Sequence, residues 1–343
     1  MLRVPGDFGR RDALRRLAGL TGLSASAAGV GYWLHSRNQS PNQPPVIRQN
    51  RNFNVAPDAR FPEVAVIRGR EPRALVDAAI ETLGGIERFI SRGDVVVVKP
   101  NISWDRTPEQ AANTNPEVVA EVVRLCRKAG ARDVIVTDVS INDPRLCFDR
   151  SGIATAARAA GAHVILPEER EFGDVDLRGE VLGSWPVLEP FLAPDKVINI
   201  PVAKHHSLTG ATLGMKNWYG ILGGPRHRLH QRIHESLVDL AAFMRPTLTI
   251  IDAWRVLLRN GPGGGSLADV LEARTVIAGT DPVAVDAYAA KTWWNLDAAK
   301  LPYLELAAVR GLGTLDPASV RISTSQLRGQ SAMVRSASSR PRP

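Results

Sequence analysis

An α/β fold is predicted, built on a mostly parallel sheet with helices on both faces. Short apolar runs alternate with amphipathic stretches along residues 61–317, the pattern of strands buried on both faces and covered by crossover helices. The chain of 343 residues, 44% of them hydrophobic, is also long enough to bury one large core or two ordinary ones.

Each element follows from its own run. A strand at Val64–Ile67 leads to a helix over Ala74–Leu83, a strand at Val95–Lys99, a helix over Pro116–Ala129 and a strand at Val134–Thr137. A helix over Ile153–Ala160 and a strand at His163–Leu166 close this series. A second series places strands at Val197–Ile200, Leu248–Asp252 and Thr275–Ala278, then a helix over Pro282–Trp294. The second series fits either one enlarged sheet or two α/β lobes, 61–190 and 191–317, with a cleft between them.

Charge distribution narrows the function. Residues 1–60 hold nine Lys/Arg and three Asp/Glu, and residues 318–343 hold five Arg and no acid. Of the formal +8 the two ends therefore carry +11, and residues 61–317 carry −3. The folded body is mildly acidic and has no basic stripe interleaved with aromatics, which argues against nucleic acid as a partner. Residues 318–343, rich in Ser, Arg and Pro, read as a disordered basic tail, and the Pro/Asn/Gln-rich residues 36–60 read as a linker.

Residues 1–35 resemble a twin-arginine export signal. Arg10-Arg11 precedes an uncharged run from Leu17 to Leu34, with a small-residue stretch at Ala25-Ser26-Ala27. The expectation is an exported protein that uses the twin-arginine machinery. It would be periplasmic after cleavage, or anchored in the cytoplasmic membrane and facing outward if the run ending at Tyr32-Trp33-Leu34 is retained. Two cysteines, Cys126 and Cys147, are too few for an iron-sulfur cluster held by four thiolates within this chain.

In sheets of this kind ligands sit beyond the carboxyl ends of the strands. The polar residues there are Lys99-Pro100-Asn101, Asp138, the Pro201–His206 segment and Asp252, while Asp281 reads equally as a helix N-cap. Five of the seven histidines fall between Ile198 and His234, with Lys204, Lys216, Asn217 and Tyr219 among them. Lys204 and Lys216 follow apolar stretches in a Gly-rich region, where a lysine holds an anion, acts as a base or bonds covalently to a carbonyl. With His205 they form the expected catalytic set, and only one of the adjacent His205 and His206 can face the site in extended chain.

On a helix begun by Pro225, His227, His230 and His234 would fall within about 60° of one another. They would hold a divalent metal with Asp252, or form an anion-binding helix start with Arg226 and Arg228. Gly261–Gly265 resembles a phosphate loop without its Lys-Ser/Thr and reads as a mobile lid.

The strand-end motifs occur in a familiar order. Lys99-Pro100-Asn101, Thr114-Asn115-Pro116-Glu117, Asn199-Ile200-Pro201, Met215-Lys216-Asn217, Tyr219-Gly220, Ile251-Asp252 and Asp281–Asp286 together resemble the family called domain of unknown function 362, over residues 61–315. Many of its members carry a ferredoxin-like module whose cysteines this chain lacks, so no electron-transfer role is implied. A weaker similarity is to lactate racemase, through Asp105-Arg106-Thr107-Pro108 and the spacing of Lys216 and His230. That similarity would imply a nickel-pincer cofactor and racemase-like chemistry.

The sequence thus predicts an enzyme that binds a small anionic ligand or a metal-containing cofactor. Lys99, Asn101, Arg106 and Asn217 are the expected cofactor-binding residues. A non-catalytic ligand- or metal-binding protein of the cell envelope is the alternative.

Overall fold

The computed structural model describes residues 52–328. The stretch expected to be an export signal, most of the expected linker and the end of the basic tail lie outside them. The part of the linker that is described is docked on the domain: Phe53 is buried in the core and its N–H donates to Arg245 O at 3.1 Å.

The elements run in this order: β1 (Val64–Arg68), α1 (Pro72–Thr82), β2 (Val95–Pro100), α2 (Pro116–Lys128), β3 (Asp133–Val136), α3 (Pro144–Arg150), α4 (Ile153–Ala159) and β4 (His163–Val164). A hairpin follows, β5 (Phe172–Asp176) and β6 (Ser184–Leu188), then β7 (Lys196–Ile200), β8 (Val202–His206), β9 (Gly210–Thr212) and the single-turn α5 (Gly214–Asn217). After a 3-10 helix at Arg226–Arg232 come α6 (Ile233–Phe243), β10 (Leu248–Leu257), β11 (Val270–Leu271), β12 (Thr275–Gly279), α7 (Pro282–Trp294), α8 (Pro302–Val309) and β13 (Ile322–Gln326).

One sheet rather than two lobes holds both halves of the sequence. Its order is β13-β1-β12-β10-β7-β2-β3-β4, with β8, β9 and β11 extending it around β10. The strand β7, from the second series, pairs in parallel with β2 on one side and β10 on the other, which joins the halves. The sheet is mostly parallel, as the apolar runs predict, but mixed: β12 lies antiparallel to both β1 and β10. The fold does not end at residue 317 either, because β13 pairs in parallel with β1. Its exposed, Ser/Thr-rich sequence Ile-Ser-Thr-Ser-Gln has the composition of an edge strand, and so reads as tail.

Alternation along the strands sorts the core onto two faces. Ala65 and Ile67 of β1, Val96 and Val98 of β2, and Ile198 and Ile200 of β7 pack with α1, α2, α3 and α4. Val64, Val66, Val97 and Val197 point the other way and pack with α6, α7 and α8. Helix starts are set locally. Asn115 accepts from Glu117 N ahead of Pro116, and Asp281 accepts from Val283 N and Ala284 N ahead of Pro282. Asp281 is therefore an N-cap, and it also accepts from Thr314 N, tying α7 to the segment after α8.

The chain runs outward from β2 to β3 and β4, then returns to lay β7 on the other side of β2. The strand order thus reverses between β2 and β7, where open α/β sheets form their ligand crevice.

Asp281→Ala should lower stability by about 0.5–2 kcal/mol, the range for losing a helix N-cap. Urea unfolding of the variant against the parent chain measures it.

Candidate anion-binding site

The residues that leave β2 and β7 are locked together by side-chain amides. Asn217 Nδ2 donates to Asn199 Oδ1 at 2.8 Å and to Lys99 O at 3.2 Å, and Asn217 Oδ1 accepts from Asn101 Nδ2 at 2.9 Å. Asn199 Nδ2 in turn donates to Gly214 O at 2.9 Å. Asn101 Oδ1 accepts from Lys204 Nζ at 2.8 Å, and Lys204 Nζ also donates to Ala112 O at 2.6 Å. The start of α5 is fixed from below by Asp286, fully buried on α7, which accepts from Gly214 N at 2.7 Å and Met215 N at 3.0 Å.

A cavity of about 270 Å³ opens above this lattice. Lys204, Lys216, Arg226, His206 and His230 line it, with Asn101, Ser103, Thr212, Asn217 and Tyr219 supplying further polar groups and Trp104, Ile141 and Pro262 the apolar wall. None of the lining residues is Asp or Glu. Lys99 lies behind the lining, separated from the cavity by Gly220. It is completely buried, donates to Asp138 Oδ1 at 2.6 Å, and its charge is cancelled there. Asp138 Oδ2 also accepts from Ile102 N at 2.5 Å.

The other cations have no such carboxylate. Burial pulls Lys204 down to about 7, with Lys216 and Lys99 adding repulsion that the Asp138 charge opposes. Burial alone brings Lys216 to about 8. Its Nζ lies 4.4 Å from the centroid of the Tyr219 ring, a cation–π contact. Burial also lowers His206 to about 3, with the lysines and histidines around it contributing. His206 Nδ1 accepts from Leu208 N at 3.2 Å, so in its neutral form Nε2 carries the proton and is a donor. Arg226 donates to Val139 O at 2.8 Å and Ser140 O at 2.6 Å, which holds its guanidinium at the wall. Two lining hydroxyls, Tyr219 Oη and Thr212 Oγ1, are buried with no hydrogen-bond partner.

The structure thus brings together Asn101, Lys204, Lys216, Asn217 and His230 from the sequence-predicted set. Strand alternation places His206, rather than His205, at the cavity with Lys204. His205 Nδ1 is buried without a partner, and its carbonyl packs against Gly261, where a side chain would not fit. Arg106 is likewise outside the lining; its Nη1 donates to Asp105 O at 2.9 Å, beside the Gly265 loop. The Asp105–Pro108 turn serves as a cap, Thr107 and Gln110 forming the capping box of a 3-10 helix at Pro108–Gln110. Gly261–Gly265 is tied down rather than free, since Gln110 Nε2 donates to Gly265 O at 2.9 Å and Asn260 Nδ2 to Asp269 Oδ2 at 2.7 Å.

The predicted metal set does not gather. Residues 226–232 form a 3-10 helix rather than the start of an α-helix, so the expected ladder of histidines is broken before α6. His227 is exposed, His230 sits edge-on to Tyr219 at 5.7 Å, and His234 stacks on Tyr303 at 6.3 Å. Asp252 spends both carboxylate oxygens on Asn115 N and Trp254 N. Among the described residues no group of three or more His, Cys, Asp or Glu is arranged to hold a metal ion. Of the four predicted metal ligands His230 alone lines the cavity, beside His206, Lys204, Lys216 and Arg226.

Sequence reasoning missed Trp104, Ile141 and Thr212, which ordinary loop or strand positions conceal. It passed over the role of Asp138, although its position after β3 was a signal.

The fold and the site define an α/β protein with a cation-lined cavity at the reversal point of its sheet. The chain matches the family described as Domain of unknown function (DUF362) over residues 96–291, more than half its length, and belongs to that family. It is 27% identical to the Thylakoid-associated protein sll1697 of Synechocystis sp. over 252 residues, 71% of this chain and 75% of that protein. It also has a distant structural similarity to the lactate racemase apoprotein from Thermoanaerobacterium thermosaccharolyticum. The TM-score is 0.40 at 12% identity, over 69% of this chain and 58% of the racemase's length.

A Cβ at position 220 would overlap Asp138 Oδ1 and come within 2.6 Å of Lys99 Nζ. Gly220→Ala should therefore cost about 1–3 kcal/mol, the range for forcing extra volume into a packed site. Chemical denaturation reads this directly, and a loss below about 1 kcal/mol would show that the pair is not confined as described.

Proposed function

We propose that this chain is an enzyme acting on a small anionic substrate, with Lys204, Arg226 and His206 holding the anion and Lys216 as the reacting amine. The observation that carries the reading is an open cavity lined by three cationic side chains, with no carboxylate facing it. Cations drawn out of water with no carboxylate beside them are costly to a fold, and an anion relieves that cost. At about 270 Å³ the space is smaller than the roughly 300–1,000 Å³ of pockets that take drug-sized ligands, so the substrate is small.

The two lysines suit different parts. Lys204 has two fixed acceptors, Asn101 Oδ1 and Ala112 O, and this orients its remaining valence. Lys216 has only the Tyr219 ring against its ammonium, and burial brings it down to about 8, so that a share of it is the free amine near physiological pH. A lysine in that state is a base or a nucleophile.

Carbamylation by cyanate, itself a small anion, tests both parts with an internal standard. Lys216 should react ahead of the exposed Lys128 and Lys300, and propionate or inorganic phosphate should slow its reaction without slowing theirs. Protection without enhanced reactivity would leave a binding site and remove the enzyme. Equal rates without protection would remove the anion site as well.

A further inference from the structure

We infer that Lys216 forms a covalent iminium with a small carboxylate that carries a ketone or aldehyde carbonyl. The inference rests on the anion site proposed above and names the substrate class for it. Four features of the cavity lead there.

First, Lys216 belongs to the one-turn helix α5, whose backbone is clamped by Asp286 below and by Asn199 and Asn217 beside it. The amine is therefore presented from a rigid support rather than from a surface loop. Second, its Nζ contacts an aromatic face and no carboxylate. A carboxylate partner would keep the amine protonated and non-nucleophilic, whereas a ring face stabilises the positive iminium once formed without suppressing the free amine beforehand. Third, Lys204 and Arg226 share the cavity, and they supply charge for a carboxylate while Lys216 is left for the carbonyl. Fourth, Tyr219 Oη and Thr212 Oγ1 are buried and unpartnered at the same wall, as groups are that complete their hydrogen bonds on a bound oxygen.

The chemistry balances with the groups present. The Lys216 lone pair forms a bond to the carbonyl carbon, and the carbonyl π pair moves onto oxygen, which takes a proton from Lys204. The carbinolamine then loses its C–O bond as water departs, with the proton released from nitrogen completing that water molecule. The nitrogen pair closes the C=N double bond, leaving one N–H and one positive charge above the Tyr219 ring. Hydrolysis reverses each step, and no oxidant, reductant or metal is consumed.

Borohydride trapping on the full-length protein decides the matter, with pyruvate as the carbonyl probe and propionate as its carbonyl-free counterpart. The expected product is a single adduct on Lys216, its mass that of pyruvate less one oxygen atom, suppressed by excess propionate. It should be absent from Lys216→Met and Lys216→Arg variants that retain the parent circular dichroism. Adducts spread over the exposed lysines, or undiminished in either variant, overturn the inference. If propionate and pyruvate both raise the melting temperature but no adduct is trapped, the carbonyl class falls and the anion site stands. If neither acid stabilises the protein and nothing is trapped, both fall.

Discussion

Asn217 is where the separate parts of this site are fastened to one another. Its single amide group joins the end of β2, the interior of β7 and the residue after β2 that carries Lys204. Every donor and acceptor in that run has one direction only: Asn101 must present its oxygen to Lys204, so its nitrogen must face Asn217, whose own nitrogen must face Asn199. Each net hydrogen bond of this kind contributes about 1 kcal/mol, while an orphaned buried amide costs about 1–3 kcal/mol, so the run is held as a unit. The positions of both cavity lysines follow from it, Lys204 as its terminal donor and Lys216 as the chain neighbour of Asn217.

The charges are arranged by the same economy. The sheet end holds four buried or nearly buried cations, and one carboxylate, Asp138, is assigned to the one that faces no cavity. Lys99 is thereby a structural residue, closing the wall behind Gly220, while Lys204, Lys216 and Arg226 are left to share a space that contains no acid. A fold selected for stability alone would not leave them so, and local rules of this sort are broken chiefly where function requires it. Depressed lysines in a concave site have the same meaning on electrostatic grounds.

Much of this was legible in the chain because strand ends in an α/β sheet carry their polar residues in sequence order. Lys99, Asn101, Lys204, Lys216 and Asn217 each follow an apolar run and each reaches the site region. The mixed sheet was not legible, since Thr275–Gly279 reads equally well in either direction, and β13 has too little apolar content to register as a strand. The histidines misled for a definite reason. Their spacing fits an α-helix, but residues 226–232 take the tighter 3-10 form, and only His230 turns to the cavity. His206 rather than His205 follows from the alternation of β8, which puts every second residue on the face of Lys204, a rule the sequence already carried.

The central claim is that an anion completes this cavity by restoring charge to Lys204, beside Arg226. Burial draws Lys204 down to about 7, so at a pH near 8 it is mostly neutral when the cavity is empty. An anion held between Lys204 and Arg226 favours the charged form of Lys204 and so raises that value. Calorimetric titration with propionate at pH about 8, in buffers of differing ionisation enthalpy, measures the proton balance directly. The account predicts net proton uptake on binding, lost in a Lys204→Met variant, and affinity that weakens as pH rises through this range. Binding with no dependence on the buffer, or with protons released, would contradict it.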